Sequence, residues 1–265
     1  MKEAKVIAVC NQKGGVGKTT TTVNVGIGLA KKGHRVLLVD CDPQASLTTA
    51  LGYNSDDLSL TISEGLVAAM QDTPVDLQDD LILHHEEGID LIPANITLAA
   101  TELSLVTAMS RETTLKRFLK NYINIDENYD YVLIDCLPSL GMIMQNALTA
   151  SNKVLVPVAP NYLSATGMVQ LLGTIERIKR HINPDLSIAG VVLTIVDPRT
   201  KLAQEIIKTV NNNFGEDVHI FSTYIPRAIK TAEAPVEGKS IYAYDPSGKV
   251  AHAYAALTEE VTENV

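Results

Sequence analysis

Along the chain, short runs of apolar and mostly β-branched residues alternate with longer stretches in which apolar positions return every three or four residues. The first kind fits strands buried on both faces of a parallel sheet, and the second fits the helices that cover such a sheet. The strand candidates are "KVIAVCN" from Lys5, "RVLLVD" from Arg35, "IDLIPA" from Ile89, "YVLID" from Tyr131, "KVLVPV" from Lys153, "IAGVVLTIV" from Ile188 and "VHIFSTYI" from Val218. Helical periodicity predicts helices over 18–32, 111–122, 142–150, 165–181, 202–212 and 250–261. This alternation predicts an α/β fold, a mostly parallel twisted sheet with helices on both faces. Without an internal repeat or a low-complexity linker, residues 1–265 are expected to form a single domain. The acidic stretch 53–90 has mixed patterning, and short helices over one edge of the sheet are expected there.

The first strand candidate runs into "NQKGGVGKTTTT", residues 11–22, which opens the first helix. Strand, glycine-rich turn and helix in that order are the setting of a phosphate-binding loop, so the fold is expected to be P-loop NTPase-like. Gly14, Gly15 and Gly17 let the backbone of the loop, Val16 included, curl so that successive N–H groups point at phosphate oxygens, with Thr20 in the turn that follows. Lys18 supplies a cation for the β- and γ-phosphates of ATP, and the Thr19 hydroxyl can ligate Mg²⁺. The loop departs from the G-x-x-x-x-G-K-[ST] pattern, because Gln12 stands where the first glycine belongs, and it carries a second lysine, Lys13.

Carboxylates follow at two other strand ends. "VDCDPQ" places Asp40 and Asp42 at the carboxyl end of the second strand, where open α/β sheets bind ligands. One could join the water shell of Mg²⁺ while the other positions the attacking water. "YVLID" ends in Asp135 after four apolar residues, the layout of a Walker B aspartate that holds Mg²⁺ through water. Helix capping is the structural alternative at both places.

Composition narrows the function classes. At 265 residues and 46% apolar the chain can bury a sizeable core. It has no apolar run of about 18 residues to span a membrane and no signal-peptide pattern, so a cytoplasmic protein is expected. Cys10, Cys41 and Cys136 sit in or beside apolar runs, without a C-x-x-C pair, and read as reduced, buried thiols. The net charge of -9 argues against a general nucleic-acid binder, but it is unevenly placed. Residues 36–110 contain no Lys or Arg and 13 of the 31 acidic residues, so elsewhere 22 basic residues face 18 acidic ones and a basic surface is permitted. Near the C-terminus, "TIVDPRTKLAQ" and "YIPRAIKTAEAP" bring Asp197, Arg199, Lys201, Pro226, Arg227 and Lys230 towards strand ends, although residues 195–249 hold seven basic and seven acidic residues.

Taken together, "KGGVGKTTTTVNVG", "RVLLVDCDPQ", "YVLIDCLPSLG", "LTIVDPRT" and "YIPRAIKTAEAP" resemble, in order and approximate spacing, the ParA-type (Soj-like) partition ATPases of the deviant Walker A superfamily, which includes MinD. The resemblance spans nearly the whole chain. It implies that Lys13 is the signature lysine, reaching across a nucleotide-sandwich homodimer to the partner's phosphates. It implies that Asp42 is required for hydrolysis, that Asp40 and Asp135 share the Mg²⁺ environment with Thr19, and that Pro226 and Arg227 lie near the adenine. Arg199 and Lys230 match positions where the family binds double-stranded DNA without sequence preference. The implied protein is a nucleoid-associated ATPase that segregates plasmid or chromosomal DNA and is stimulated by a ParB-like centromere-binding partner. One departure is Leu137, where relatives read Pro-Pro after the Walker B aspartate and Cys.

Three other readings compete. A MinD-like membrane-cycling regulator requires a basic amphipathic C-terminal helix, but "AHAYAALTEEVTENV" has no Lys or Arg, so no membrane partner is expected. A relative of the nitrogenase iron protein requires cysteines at a dimer interface. A ParA-like ATPase that positions a cargo other than DNA shares every nucleotide motif.

Overall fold

A computed structural model describes residues 3–73, 78–160, 164–215 and 218–265. Seven strands form one sheet: β1 (Lys5–Val9), β2 (Val36–Cys41), β3 (Leu83–His85), β4 (Ile89–Ile92), β5 (Tyr131–Cys136), β6 (Lys153–Val158) and β7 (Ser187–Leu193), in the spatial order β3-β4-β2-β5-β1-β6-β7. All pairings are parallel except β3 with β4. The helices of eight residues or more among the described residues are α1 (Lys18–Lys31), α2 (Ile62–Gln71), α3 (Thr97–Leu105), α4 (Thr114–Asn121), α5 (Met142–Ala150), α6 (Ser164–His181), α7 (Lys201–Phe214) and α8 (Lys249–Asn264).

Side chains alternate across the sheet, and each set finds its own helical layer. Val6, Ala8, Leu37, Val39, Val132 and Ile134 face the layer containing α2 to α7. Ile7, Val9, Val36, Leu38, Tyr131 and Leu133 face α1 and α8. By the same parity, Asp40 on β2 and Asp135 on β5 belong to the α1 face, and the two are register partners. The sheet thus delivers two carboxylates side by side beneath the start of α1.

The predicted α/β architecture is observed, with three local departures. The stretch from Val218 is not a strand: it meets β7 at the isolated bridge Val191–Ile220 and through the Ile225 N–H on the Leu193 carbonyl (2.8 Å), and meets the residues beyond β7 at the bridge Val196–Pro226. The cause lies in α8, where the Glu260 carboxylate accepts the N–H groups of Ser222 (2.8 Å) and Thr223 (2.9 Å) and draws the segment off the ladder. The acidic stretch 53–90 supplies helical segments including α2, as expected, but also the edge strand β3. Predicted helix 111–122 begins as a 3₁₀ turn, Arg111–Thr113, before α4.

Close helix packing makes one stability prediction. A Cβ at Gly65 on α2 would overlap the ring of Phe118, which is fully buried on α4 and has little room to yield. Gly65→Ala is therefore expected to destabilise the fold by about 1–3 kcal/mol, read by chemical denaturation; an unchanged midpoint would refute this packing.

Candidate functional site

Between β1 and α1 the chain makes a tight loop whose entry and exit are both fixed. Asn11 is buried, donates to the Pro157 carbonyl at 2.7 Å and accepts the Lys13 N–H at 3.0 Å. Gly15 and Gly17 take left-handed φ values of 71° and 81°, which side chains rarely adopt. Gly17 caps α1 without a side-chain acceptor, and the first turn carries no acidic residue. A helix start of this kind directs N–H groups and positive dipole outward, which is an anion site. Lys18 is buried and its Nζ donates to the Lys13 carbonyl at 3.2 Å, within the curl of the loop. Gln12, in the slot of the missing glycine, holds a buried Nε2 without a protein acceptor, a further donor available to a bound group.

The carboxylates meet the loop from below. Thr19 Oγ1 donates to Asp135 Oδ2 at 2.6 Å, and Thr22 Oγ1 reaches Asp135 Oδ1 at 3.4 Å. A threonine hydroxyl whose proton goes to a carboxylate keeps its lone pairs for a cation, so the donor set suits Mg²⁺. Burial pushes the Asp135 carboxyl up, and the neighbouring Asp40 adds to the effect, while Thr19 and Lys18 oppose it. Burial likewise lifts Asp40, to about 6. Two adjacent buried carboxylates of this kind form a site that a divalent cation would stabilise in the ionised state.

Asp40 and Asp42 do different things. The Asp40 Oδ2 accepts from Thr48 N at 2.9 Å and Thr48 Oγ1 at 2.7 Å, and its Oδ1 accepts from Asp42 N at 3.1 Å. Thr48 also accepts from Ala94 N at 3.1 Å, so Asp40 moors the 42–48 loop to the sheet. Asp42 lies partly exposed beyond the strand, and its Oδ1 accepts from Gln44 N at 2.9 Å.

The C-terminal residues form a second cluster joined to the first. Past β7, Thr194 Oγ1 donates to the Val16 carbonyl at 2.7 Å, a bond between the phosphate-loop candidate and the segment that carries Arg199. Ile195 then takes φ 55°, a left-handed conformation that costs a β-branched residue about 1–3 kcal/mol. It is enforced on both sides, by Thr194 N to Val158 O at 2.9 Å and by Val196 N to Ile225 O at 3.0 Å. Pro226 pairs with Val196, and Arg227 N donates to the Val196 carbonyl at 3.0 Å. Arg199, Tyr224, Arg227, Lys249 and His252 line an open cleft of about 1190 Å³. Arg199 is 87% exposed and forms a two-point ion pair with Asp197 at 2.9 and 2.8 Å, which holds the Asp197 carboxyl down at about 2. Lys230 starts the short helix Lys230–Glu233 and pairs with Asp245 at 2.8 Å.

Comparison with known proteins bears on these features together. A family model described as an AAA domain matches residues 4–188. The sporulation initiation inhibitor protein Soj of Bacillus subtilis is 45% identical over 98% of this chain and 99% of its own length. The chromosome partitioning protein ParA of Caulobacter vibrioides is 40% identical over 97% of this chain and 93% of its own. The chain belongs to the ParA/Soj family of P-loop ATPases. A solved structure named cobyrinic acid a,c-diamide synthase, from Mycobacterium smegmatis, with bound ATP analog and magnesium, superposes with a TM-score of 0.84 at 36% identity, covering 97% of this chain and 93% of that one.

Within this family member, the residues expected around the nucleotide from Lys13 to Thr20, with Asp40, Asp42 and Asp135, gather at the carboxyl ends of β1, β2 and β5, which are neighbours in the sheet. Arg199 and Arg227 share the cleft beyond β7, and Lys230 follows it in the chain. Thr48, Thr194, Lys249 and His252 escaped the sequence reading, because no local spacing marks them. Cys10, Cys41 and Cys136 are free and buried; burial raises the thiol of Cys41, and the hydrogen bond with Cys10, then burial, raises that of Cys136, unlike cysteines that hold a cluster between subunits. The apolar side of α8 (Val250, Tyr254, Leu257 and Val261) is buried in the α1 layer. Among the described residues no helix is long and apolar enough to cross a membrane. Leu137 is buried in the opposite layer, directly after Cys136.

Proposed function

We propose that the chain is a Mg²⁺-dependent ATPase that dimerises on ATP, binds DNA without sequence preference in that state, and drives segregation or positioning of DNA under stimulation by a ParB-like partner. The observation that carries the reading is the Thr194–Val16 bond, which joins the element carrying Arg199 to the loop that would hold the phosphates. In this reading the N–H groups from Gly14 to Thr20, with Lys18, bind the triphosphate, and Pro226 and Arg227 border the adenine. Thr19 and Asp135 would hold Mg²⁺, whose chemistry there would be neutralisation of phosphate charge. Asp40, engaged by Thr48 and Asp42, acts through the loop it moors. Asp42 orients the attacking water, and Lys13 is delivered in trans to the partner's nucleotide, so hydrolysis waits for two subunits to meet.

The DNA reading rests on exchange of partners. Arg199 and Lys230 are exposed and paired with Asp197 and Asp245, and exposed pairs of this kind are weak enough for phosphates to displace the carboxylates. Dimerisation doubles the contacts on one surface. Sizing the protein with ADP, with ATP, and with ATP plus nonspecific DNA tests the scheme: a dimer with ATP alone that shifts onto DNA is expected. Changing Arg199 and Lys230 together to Glu should weaken DNA retention about tenfold or more and flatten its salt dependence, while the ATP dimer persists. Undiminished retention would place the DNA surface elsewhere.

A further inference from the structure

The loop after β5 leads straight from Asp135, the acceptor of the Thr19 proton, to the start of α5. The far side of α5 is firmly held: the buried Asn146 side chain accepts from Leu115 N at 3.0 Å and donates to Arg111 O at 2.8 Å and Met142 O at 3.0 Å. Its N-terminal side lacks the usual local device. Gly141 is the N-cap residue and supplies no side-chain acceptor to the first turn. The acceptor instead comes from 41 residues earlier: Glu102, partly buried on α3, takes the Ile143 N–H on Oε1 at 3.2 Å. A Cβ at residue 141 would overlap this same Glu102 oxygen, so glycine at this position leaves room for the carboxylate.

We propose that Glu102 is a positioning residue for ATP hydrolysis, a cap from α3 that fixes the exit of the 137–141 loop and thereby the setting of Asp135. The carboxylate reaches neither Thr19 nor the phosphate loop; its effect passes through the backbone between Asp135 and Ile143. ATP binding rests on the loop between β1 and α1, on the other side of Asp135, and is left intact when the cap is lost. A cap of this kind contributes about 1 kcal/mol, which corresponds to about fivefold in rate if it is felt at the transition state.

The test is steady-state ATPase kinetics of the full chain with three variants. Glu102→Ala is expected to lower kcat about fivefold with the KM for ATP unchanged within about twofold. Glu102→Gln keeps an acceptor oxygen and should restore most of kcat, whereas Gly141→Ala displaces the carboxylate and should reproduce the Glu102→Ala defect. Thermal melting of each variant separates a loss of fold from a loss of rate. A kcat for Glu102→Ala equal to that of the unaltered protein would overturn the proposal, as would a rise in KM in place of the fall in kcat. A Gln variant as slow as the Ala variant, with both folded, would equally refute the cap.

Discussion

Lys18→Ala is expected to abolish ATP binding while leaving the fold in place. Lys18 is only 8% exposed, at the first position of a helix start that has no acidic residue and no side-chain cap. Its ammonium donates to the carbonyl of Lys13, so the cation already sits inside the curl of the loop that the triphosphate would enter. Removing it takes away a charge-assisted contact to phosphate and leaves a nucleotide of high negative charge facing N–H groups alone, a loss of at least about 100-fold in affinity. The fold should tolerate the change, because the bond lost in the protein is to a single carbonyl within the loop. Melting curves read both halves of the prediction. At 100-fold excess over its dissociation constant ATP stabilises the unaltered protein by about 2.7 kcal/mol, and the variant should melt near the unliganded temperature with or without ATP. An undiminished ATP-induced shift would remove Lys18 from the nucleotide site.

The central strands were legible because a parallel sheet buried on both faces needs continuous apolar runs, and the runs from Lys5, Arg35, Tyr131 and Lys153 have no other use. The phosphate-loop candidate was legible because its signal is local: glycines at fixed offsets between a strand and a helix. Elements governed by distant contacts were not. β3 is three residues long, contains two histidines and is part-exposed throughout, so it carries no apolar run to read. The segment from Val218 has the β-branched and aromatic residues of a strand, yet Glu260, some forty residues onward, takes the Thr223 N–H that a ladder with β7 would need, and the Ser222 N–H beside it.

The same divide runs through the site. The identities of Asp40, Asp42 and Asp135 could be read from strand ends, but the division of labour between them could not, because it depends on which face of β2 and β5 is covered by α1. Asp40 was expected in the Mg²⁺ environment; that its oxygens also hold Thr48 and the Asp42 backbone is something no strand-end pattern shows. Thr194 and Glu102 act across separations of 178 and 41 residues, beyond the reach of periodicity or motif spacing. Charge behaved differently again: the even count of acids and bases in residues 195–249 concealed specific pairings, Asp197 with Arg199 and Asp245 with Lys230, that present cations together with their own screens.

Those pairings make the second large effect a matter of timing. Asp42→Ala is expected to keep ATP binding and to lower turnover at least about 100-fold, the lower end of what a general base contributes. Alanine at 42 retains the N–H that Asp40 accepts, and Thr48 still ties the loop to Asp40 and Ala94, so the cradle should survive. What disappears is a partly exposed carboxylate beyond the end of β2, placed where it can orient a water without being used up by the structure. Its one internal bond, from Gln44 N, provides the control, since Asp42→Asn keeps an oxygen for that N–H and removes only the charge. If the carboxylate is what matters, both variants should be slow in single-turnover hydrolysis and both should persist as ATP dimers on DNA, with Arg199 and Lys230 kept on phosphates and away from Asp197 and Asp245. Slow turnover in Ala with normal turnover in Asn would assign the effect to the Gln44 turn, and normal turnover in both would take Asp42 out of the hydrolytic machinery.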